Sequence, residues 1–455
     1  MPPRIRTVEG SCWSCKERRV ICDLAVPSCA KCIKIGARCD YGPIRLKWTD
    51  CVASRGRFAG KKVPLPQQRS PSPQSPQMLV LKRNSDSHLM YFENELLPRF
   101  NLTNTVPMID LKILAKDPVL FQSALAVANA HEASRGEDGM GMSLQKIQSR
   151  NRALRVFREQ LMAVSSDDVN GSLFIANVLL CILDGIIEPV SDSSATHHHL
   201  VGGKAILKQW AGVRGVFRSK RELPILMLSI FATMDLTHSL LIGDAPFFEP
   251  SFWPEFGDCE PWWGNVRPDD DFLQVMAIFS QLATLGAAAR DKKVVDIGTL
   301  LSIQLTLETQ IKQEEEDVKY APQSAAWAAF CAVYRFSASV YLYRALSGLD
   351  VDHVLVQQAI TSFFEVLDGT DLTEKLHHCI LFPLLIAASH SLLPKQRESV
   401  RRSIGTTSVY LSFESLRSLE DFLQRRWEML DRFPNTKQLT WWQYYEEIAN
   451  VSCLF

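Results

Sequence analysis

The chain has 455 residues, 46% hydrophobic and 22% charged, enough apolar material for a sizeable core and length for two or three domains. Its 50 Lys and Arg balance 50 Asp and Glu, so the overall charge excludes no class of partner. The distribution says more: residues 1–62 hold 14 basic and 5 acidic side chains, a basic head on a mildly acidic remainder, which suits contact with a polyanion.

The N-terminal stretch MPPRIRTVEGS has no apolar signal-peptide region, so a secreted disulfide framework is not expected and reduced intracellular cysteines are. Six of the 12 cysteines lie between residues 12 and 39. Cys12 and Cys15 form a C-x-x-C pair with Cys22 following; Cys29 and Cys32 form a second pair, with Cys39 at the same distance. One such pair is weak evidence for anything. Six cysteines in duplicated spacing, without a histidine nearby, point to thiolate-bound metal. An iron–sulfur cluster uses other spacings, and a redox pair leaves four cysteines unexplained.

Structural zinc takes four tetrahedral ligands, so six thiolates complete two sites only if two of them bridge. The leading cysteine of each half, Cys12 and Cys29, is the symmetric candidate for bridging. Two Zn²⁺ and six thiolates net −2, which leaves the head basic. Its few apolar residues, Val20, Ile21, Leu24, Ile33 and Ile35 at most, cannot hold so short a segment together without metal.

The run CWSCKERRVICDLAVPSCAKCIKIGARCDYG resembles the fungal zinc-cluster (binuclear Zn₂Cys₆) transcription factors in its spacing, its basic run, Asp23 and Pro27. The resemblance implies a nuclear, DNA-binding regulator of RNA polymerase II transcription that carries two zinc ions. It implies that the helix after the second cysteine enters the major groove and reads a CGG-type triplet in double-stranded DNA. Arg18 and Arg19 match the base-reading pair, with Lys16 at the helix start. An arginine offers two parallel donors to guanine, worth about 1–3 kcal/mol of discrimination. Lys31, Lys34 and Arg38, with Lys16, suit phosphates, which position a module without specifying sequence. Ile21 departs from the family's basic residue before the third cysteine, which puts the preferred site in doubt and leaves the metal ligands untouched.

Residues 63–77, VPLPQQRSPSPQSPQ, hold five prolines and almost no apolar surface, and read as an extended linker. The expected layout is a DNA-binding module at 8–44, a basic and Pro/Ser/Gln-rich linker at 45–85 and an all-α regulatory body at 86–455. YGPIRLKW (41–48) and the stretch 90–134 resemble one subset of these regulators and the opening of their fungal-specific helical domain; HHLVGGKAIL and LFPLLIAASHSLL continue the likeness loosely.

From residue 86 onward the period is helical. Leu144, Ile147, Leu154, Phe157 and Leu161 recur at three- to four-residue intervals, and Asp269–Asp271 make an acidic helix start before FLQVMAIF. Further helices are expected over 299–318, 323–347, 352–367, 378–392 and 413–430. Leu173–Ile187 and Pro224–Ile242 contain Asp184 and Asp235 and read as buried core helices, with no membrane span expected.

His197, His198 and His199 point three ways on a helix and cannot share one ion; a helix-start cluster with one partly buried ring is expected, and His377–His378 are read likewise. Gly202–Lys204 lacks the rest of a phosphate loop. No catalytic constellation stands out, so no enzyme is expected. Asp244–Trp263 has the composition of an acidic–aromatic activation segment, but its position between helical blocks favours a loop packed over the body. Residues 43–77 show no coiled-coil heptads, so either the module binds DNA as a monomer or the helical body dimerises. Co-regulators, or a small effector, would meet the body.

Overall fold

The computed structural model describes residues 11–41 apart from Arg19, and residues 87–453 apart from 103–113, 115, 137–139, 164–170, 190–194, 210–211, 220, 258, 321–324, 373 and 433–438. The linker expected at 45–85 lies outside these residues. The chain divides into two units, Met1–Gln74 and Ser75–Phe455. Among the described residues there are helices and turns and no strand.

In the small unit, helix α1 (Trp13–Arg18) and helix α2 (Ala30–Ile33) follow the duplicated cysteine spacing. The N–H groups of Lys16 and Ile33 donate to Cys12 O and Cys29 O, both at 3.0 Å. Those of Val20 and Ala37 donate to Cys15 O and Cys32 O, at 3.1 and 3.0 Å. The backbone thus repeats with the same offset of 17 residues that separates Cys12 from Cys29. The expected apolar core is not there. Ile21, Leu24, Ile33 and Ile35 are 41–67% exposed, and only Val20 packs in part against the buried sulfurs. About thirty residues wrapped around six thiols leave no second interior, so sulfur–metal bonds must replace hydrophobic burial.

The large unit is an all-α body around one apolar core. At its heart lies Glu222–Ile242, which packs on Gly171–Ile182, Asp271–Arg290 and the C-terminal Trp441–Val451. Among the described residues, two helices, Glu222–Ile242 and Asp271–Arg290, are long and apolar enough to cross a membrane by length and composition; 94% and 56% of their apolar windows are buried in the body. The acid inside each core segment is paired. Lys204 Nζ lies 2.5 Å from Asp235, whose other oxygen accepts from Phe247 N–H at 2.7 Å. Arg150 and His199 hold Asp184 at 2.9 and 3.0 Å. His199 is therefore the partly buried ring of the triplet, while His197 and His198 are exposed.

Asp270 caps Asp271–Arg290, its carboxylate accepting from Phe272 N–H at 2.9 Å, as the acidic start predicts. Gly203 sits inside Ala195–Gln209 because a Cβ there would stand 2.5 Å from the Phe231 ring. Gly202–Lys204 is thus a helix-crossing point. At Gly185 a Cβ would crowd Cys453 Sγ at 3.2 Å; the chain's last described residues dock there, Cys453 N–H donating to Gly185 O at 2.8 Å.

The helix around 144–161 forms, as Met140–Ala163, and Leu154 and Phe157 of the expected stripe pack in part against the core, but the rest of the stripe does not. Leu144, Ile147 and Leu161 are 48–60% exposed, whereas Ser149 and Ala153 are buried. Small residues let this helix approach Pro118–Arg135 closely enough for Asn129 Nδ2 to donate to Ser149 Oγ at 3.0 Å. The Asp244–Trp263 segment is a packed loop. Phe248, Phe252, Trp253, Phe256, Trp262 and Trp263 are all buried. Trp253 Nε1 donates to Ser280 Oγ at 2.8 Å, and Trp262 Nε1 to Thr233 Oγ1 at 2.9 Å. Buried indoles with their N–H groups satisfied are core, not free activation sequence.

Candidate metal centre and nucleic-acid interface

Each half of the head presents its first two cysteines from one helical turn, so Cys12 and Cys15, like Cys29 and Cys32, aim sulfurs inward. Cys12, Cys15, Cys29 and Cys32 are fully buried and their sulfurs lie within 4.8 Å of one another. Cys12 Sγ is 3.8 Å from Cys29 Sγ, 3.6 Å from Cys32 Sγ and 3.9 Å from Cys22 Sγ; Cys15 Sγ is 3.6 Å from Cys29 Sγ. Four sulfurs at zinc's bond length of about 2.3 Å define a tetrahedron whose edges are about 3.8 Å. The measured separations match those edges, so the donor set fits zinc in both spacing and chemistry. Cys39 joins through its sulfur, which accepts from Cys29 N–H at 3.3 Å.

The thiols disagree about ionisation. Burial pushes Cys12, Cys15 and Cys29 up to about 12. For Cys22, burial is outweighed by backbone hydrogen bonds at Cys12 and Leu24, which bring it down to about 6. The Ser14 hydroxyl leads the groups that hold Cys32 at about 7. Six thiolates this close repel one another, and only cations among them allow all to ionise.

Three residues outside the cysteine pattern close the module. Asp23 accepts from Ala30 N–H at 3.0 Å and tethers the start of α2. The Tyr41 hydroxyl donates to Ala25 O at 3.0 Å and lies 3.6 Å from Cys22 Sγ. Trp13 N–H donates to Asp40 O at 2.8 Å, joining the two ends. Asp23 was visible in the sequence as part of the family likeness. Asp40 and Tyr41 lie in the same family-like run, but the contacts they make emerge only from the fold. Val26–Pro27 is a cis peptide bond in the connecting loop.

The basic residues divide into two groups. Lys31, Lys34 and Arg38 are exposed. Lys16 is partly covered, its ammonium 4.6 Å from the Trp13 ring centre. Arg18 is exposed but folds back: Nε donates to Ser14 O at 3.1 Å, and Nη2 lies 3.5 Å from Cys32 Sγ and 3.7 Å from Cys15 Sγ. Its guanidinium thereby ties the end of α1 to α2 next to Lys31. Arg19 lies outside the described residues.

In the body, the titrating groups are structural. Burial keeps His131 and His378 near 4, and His238 and His390 near 3, well below the ordinary imidazole value. The His131 ring donates from Nε2 to Leu411 O at 2.7 Å and accepts at Nδ1 from the Tyr91 hydroxyl at 2.9 Å, a fully satisfied neutral ring.

Two family models match the chain. One, described as the fungal Zn(2)-Cys(6) binuclear cluster domain, covers residues 10–49; the other, described as the fungal specific transcription factor domain, covers residues 87–454. No curated protein and no solved structure matches significantly.

Proposed function

The chain belongs to the fungal zinc-cluster transcription regulators, with a DNA-binding head that carries two zinc ions, and from that premise we propose that it reads a short CGG-type site upstream of RNA polymerase II genes in the nucleus. Residues 8–44 form the DNA-binding module, 45–85 the linker and 86–455 the regulatory body, which meets co-regulators. Cys12, Cys15, Cys22, Cys29, Cys32 and Cys39 would hold the two ions, with Cys12 and Cys29 shared so that six thiolates fill eight ligand positions. The zinc ions would supply the folding free energy that the exposed apolar residues cannot.

Base reading falls to Arg18, on α1, and Arg19, with Arg18 exchanging its contacts with the cluster sulfurs for guanine O6 and N7. Lys16, Lys31, Lys34 and Arg38 rest on phosphates. Ile21 removes one family charge next to the third cysteine, which shifts preference among related sites rather than abolishing binding.

One observation carries the reading: buried sulfurs of a basic module held at the edge length of zinc tetrahedra. The test is selection from a random duplex library by the zinc-loaded full chain. Enrichment of a G/C-rich triplet is expected. A selected pool with no sequence in common would overturn base reading and leave a zinc-stabilised interaction scaffold.

A further inference from the structure

The last residue of helix α1 reaches both halves of the cysteine cluster. Arg18 Nη2 lies 3.5 Å from Cys32 Sγ and 3.7 Å from Cys15 Sγ, while Nε donates to Ser14 O at 3.1 Å. Cys15 and Cys32 are the second cysteines of the two C-x-x-C pairs, and both are fully buried. Sulfur is larger than oxygen, so both separations fall within the range of N–H···S hydrogen bonds, the longer one being the weaker.

The charge balance gives these contacts a purpose. Six thiolates outweigh two Zn²⁺ by two negative charges. With Cys12 and Cys29 shared, Cys15 and Cys32 each serve a single ion. An unshared thiolate keeps more electron density on its sulfur than a shared one and is the stronger acceptor. The Cys29 and Cys39 sulfurs accept from backbone N–H groups, of Cys32 at 3.4 Å and of Cys29 at 3.3 Å. The contacts from Arg18 differ in kind, because the donor carries a full positive charge. Lys16, nearby on the same helix, places its ammonium over the Trp13 ring instead. The planar guanidinium matters as well: Ser14 O fixes Nε and so aims Nη2 at the two sulfurs. A lysine would bring the charge without that fork.

We propose that Arg18 is a positioning residue for the zinc cluster, tying a thiolate of one half to a thiolate of the other and slowing loss of the ions. Groups that hydrogen-bond to metal ligands change metal affinity by about 10–100-fold when removed. The proposal rests on the reading of the six cysteines as the zinc ligands. It gives Arg18 a task in the free protein, before its guanidinium turns to guanine, so cluster and duplex draw on the same side chain.

The test is the rate of zinc release from the full chain to an excess of a pyridylazoresorcinol chelator, followed by absorbance, with bound ions counted by native mass spectrometry. Arg18→Gln should release zinc about ten-fold faster or more, and Arg18→Lys should fall between it and the wild type. Lys34→Gln removes one charge from the same module without touching a sulfur contact and should stay within about two-fold of the wild type. In the cobalt(II)-loaded chain, Arg18→Gln should move the sulfur-to-metal charge-transfer band to longer wavelength, as expected of thiolates that lose a donor. Unchanged release in Arg18→Gln, equal acceleration by Lys34→Gln, or an unmoved cobalt band would overturn the proposal while two bound ions in the wild type uphold the ligand reading. A wild-type chain that holds no zinc would overturn both.

Discussion

Acidification tests the histidine network of the body. His131, His238, His378 and His390 are all buried, and burial holds His131 and His378 near 4 and His238 and His390 near 3. In the unfolded chain each ring takes up its proton near pH 6.5. Between that value and the folded one the unfolded state binds more protons, so stability is complete above about pH 7 and is lost as the pH falls. At pH 5 each unfolded ring gains about 2 kcal/mol that its folded counterpart cannot, roughly 7 kcal/mol for four rings relative to pH 7. A domain's whole stability is about 5–15 kcal/mol, so the body should approach unfolding near pH 5. Urea titrations of the full chain, followed by helical circular dichroism at pH 7, 6 and 5, measure this, since most described helix lies in the body. His378→Phe keeps the stack on Tyr410, 4.2 Å away, and should remove about one ring's share of the pH dependence. An unfolding midpoint that barely moves from pH 7 to pH 5 would refute the reasoning.

Zinc chelation should abolish DNA binding in a mobility-shift assay while leaving the helical signal of the body in place. A large loss of helicity would mean that body and head fold as one. Arg19→Ala should lower discrimination between matched and mismatched duplexes by about 1–3 kcal/mol. Lys34→Ala should instead weaken all duplexes alike and reduce the salt dependence of binding by about one phosphate contact. Gly203→Ala forces a methyl group against the Phe231 ring and should destabilise the body by about 1–3 kcal/mol in the same urea titration; an unchanged midpoint would contradict the close crossing.

The metal centre was legible because coordination chemistry writes itself into spacing: duplicated C-x-x-C pairs, an equal third interval and tetrahedral valence lead to six sulfurs and two ions. The core helices were legible where composition was extreme, as at Gly171–Ile182 and Glu222–Ile242. Side-chain facing was not. In the head, Ile33 and Ile35 look like core only until the sulfurs occupy the interior. In Met140–Ala163 Ser149 and Ala153 share the inward face with Leu154 and Phe157, while Leu144, Ile147 and Leu161 of the same apolar pattern stay exposed. The partners of Asp184 and Asp235 come from other helices, and no local pattern names Arg150 or Lys204. Arg18 keeps its expected place on α1, yet its guanidinium turns to the Cys15 and Cys32 sulfurs, a contact that only the packing of α1 on α2 creates.

The central claim is that a zinc cluster in this chain reads base sequence. The most direct measurement is a competition between a CGG-bearing duplex and the same duplex with that triplet scrambled, by fluorescence anisotropy at fixed salt with the zinc-loaded full chain. The account predicts preference for the CGG duplex by about ten-fold or more, lost on chelation. Equal affinity for the two duplexes, with zinc bound, would contradict it.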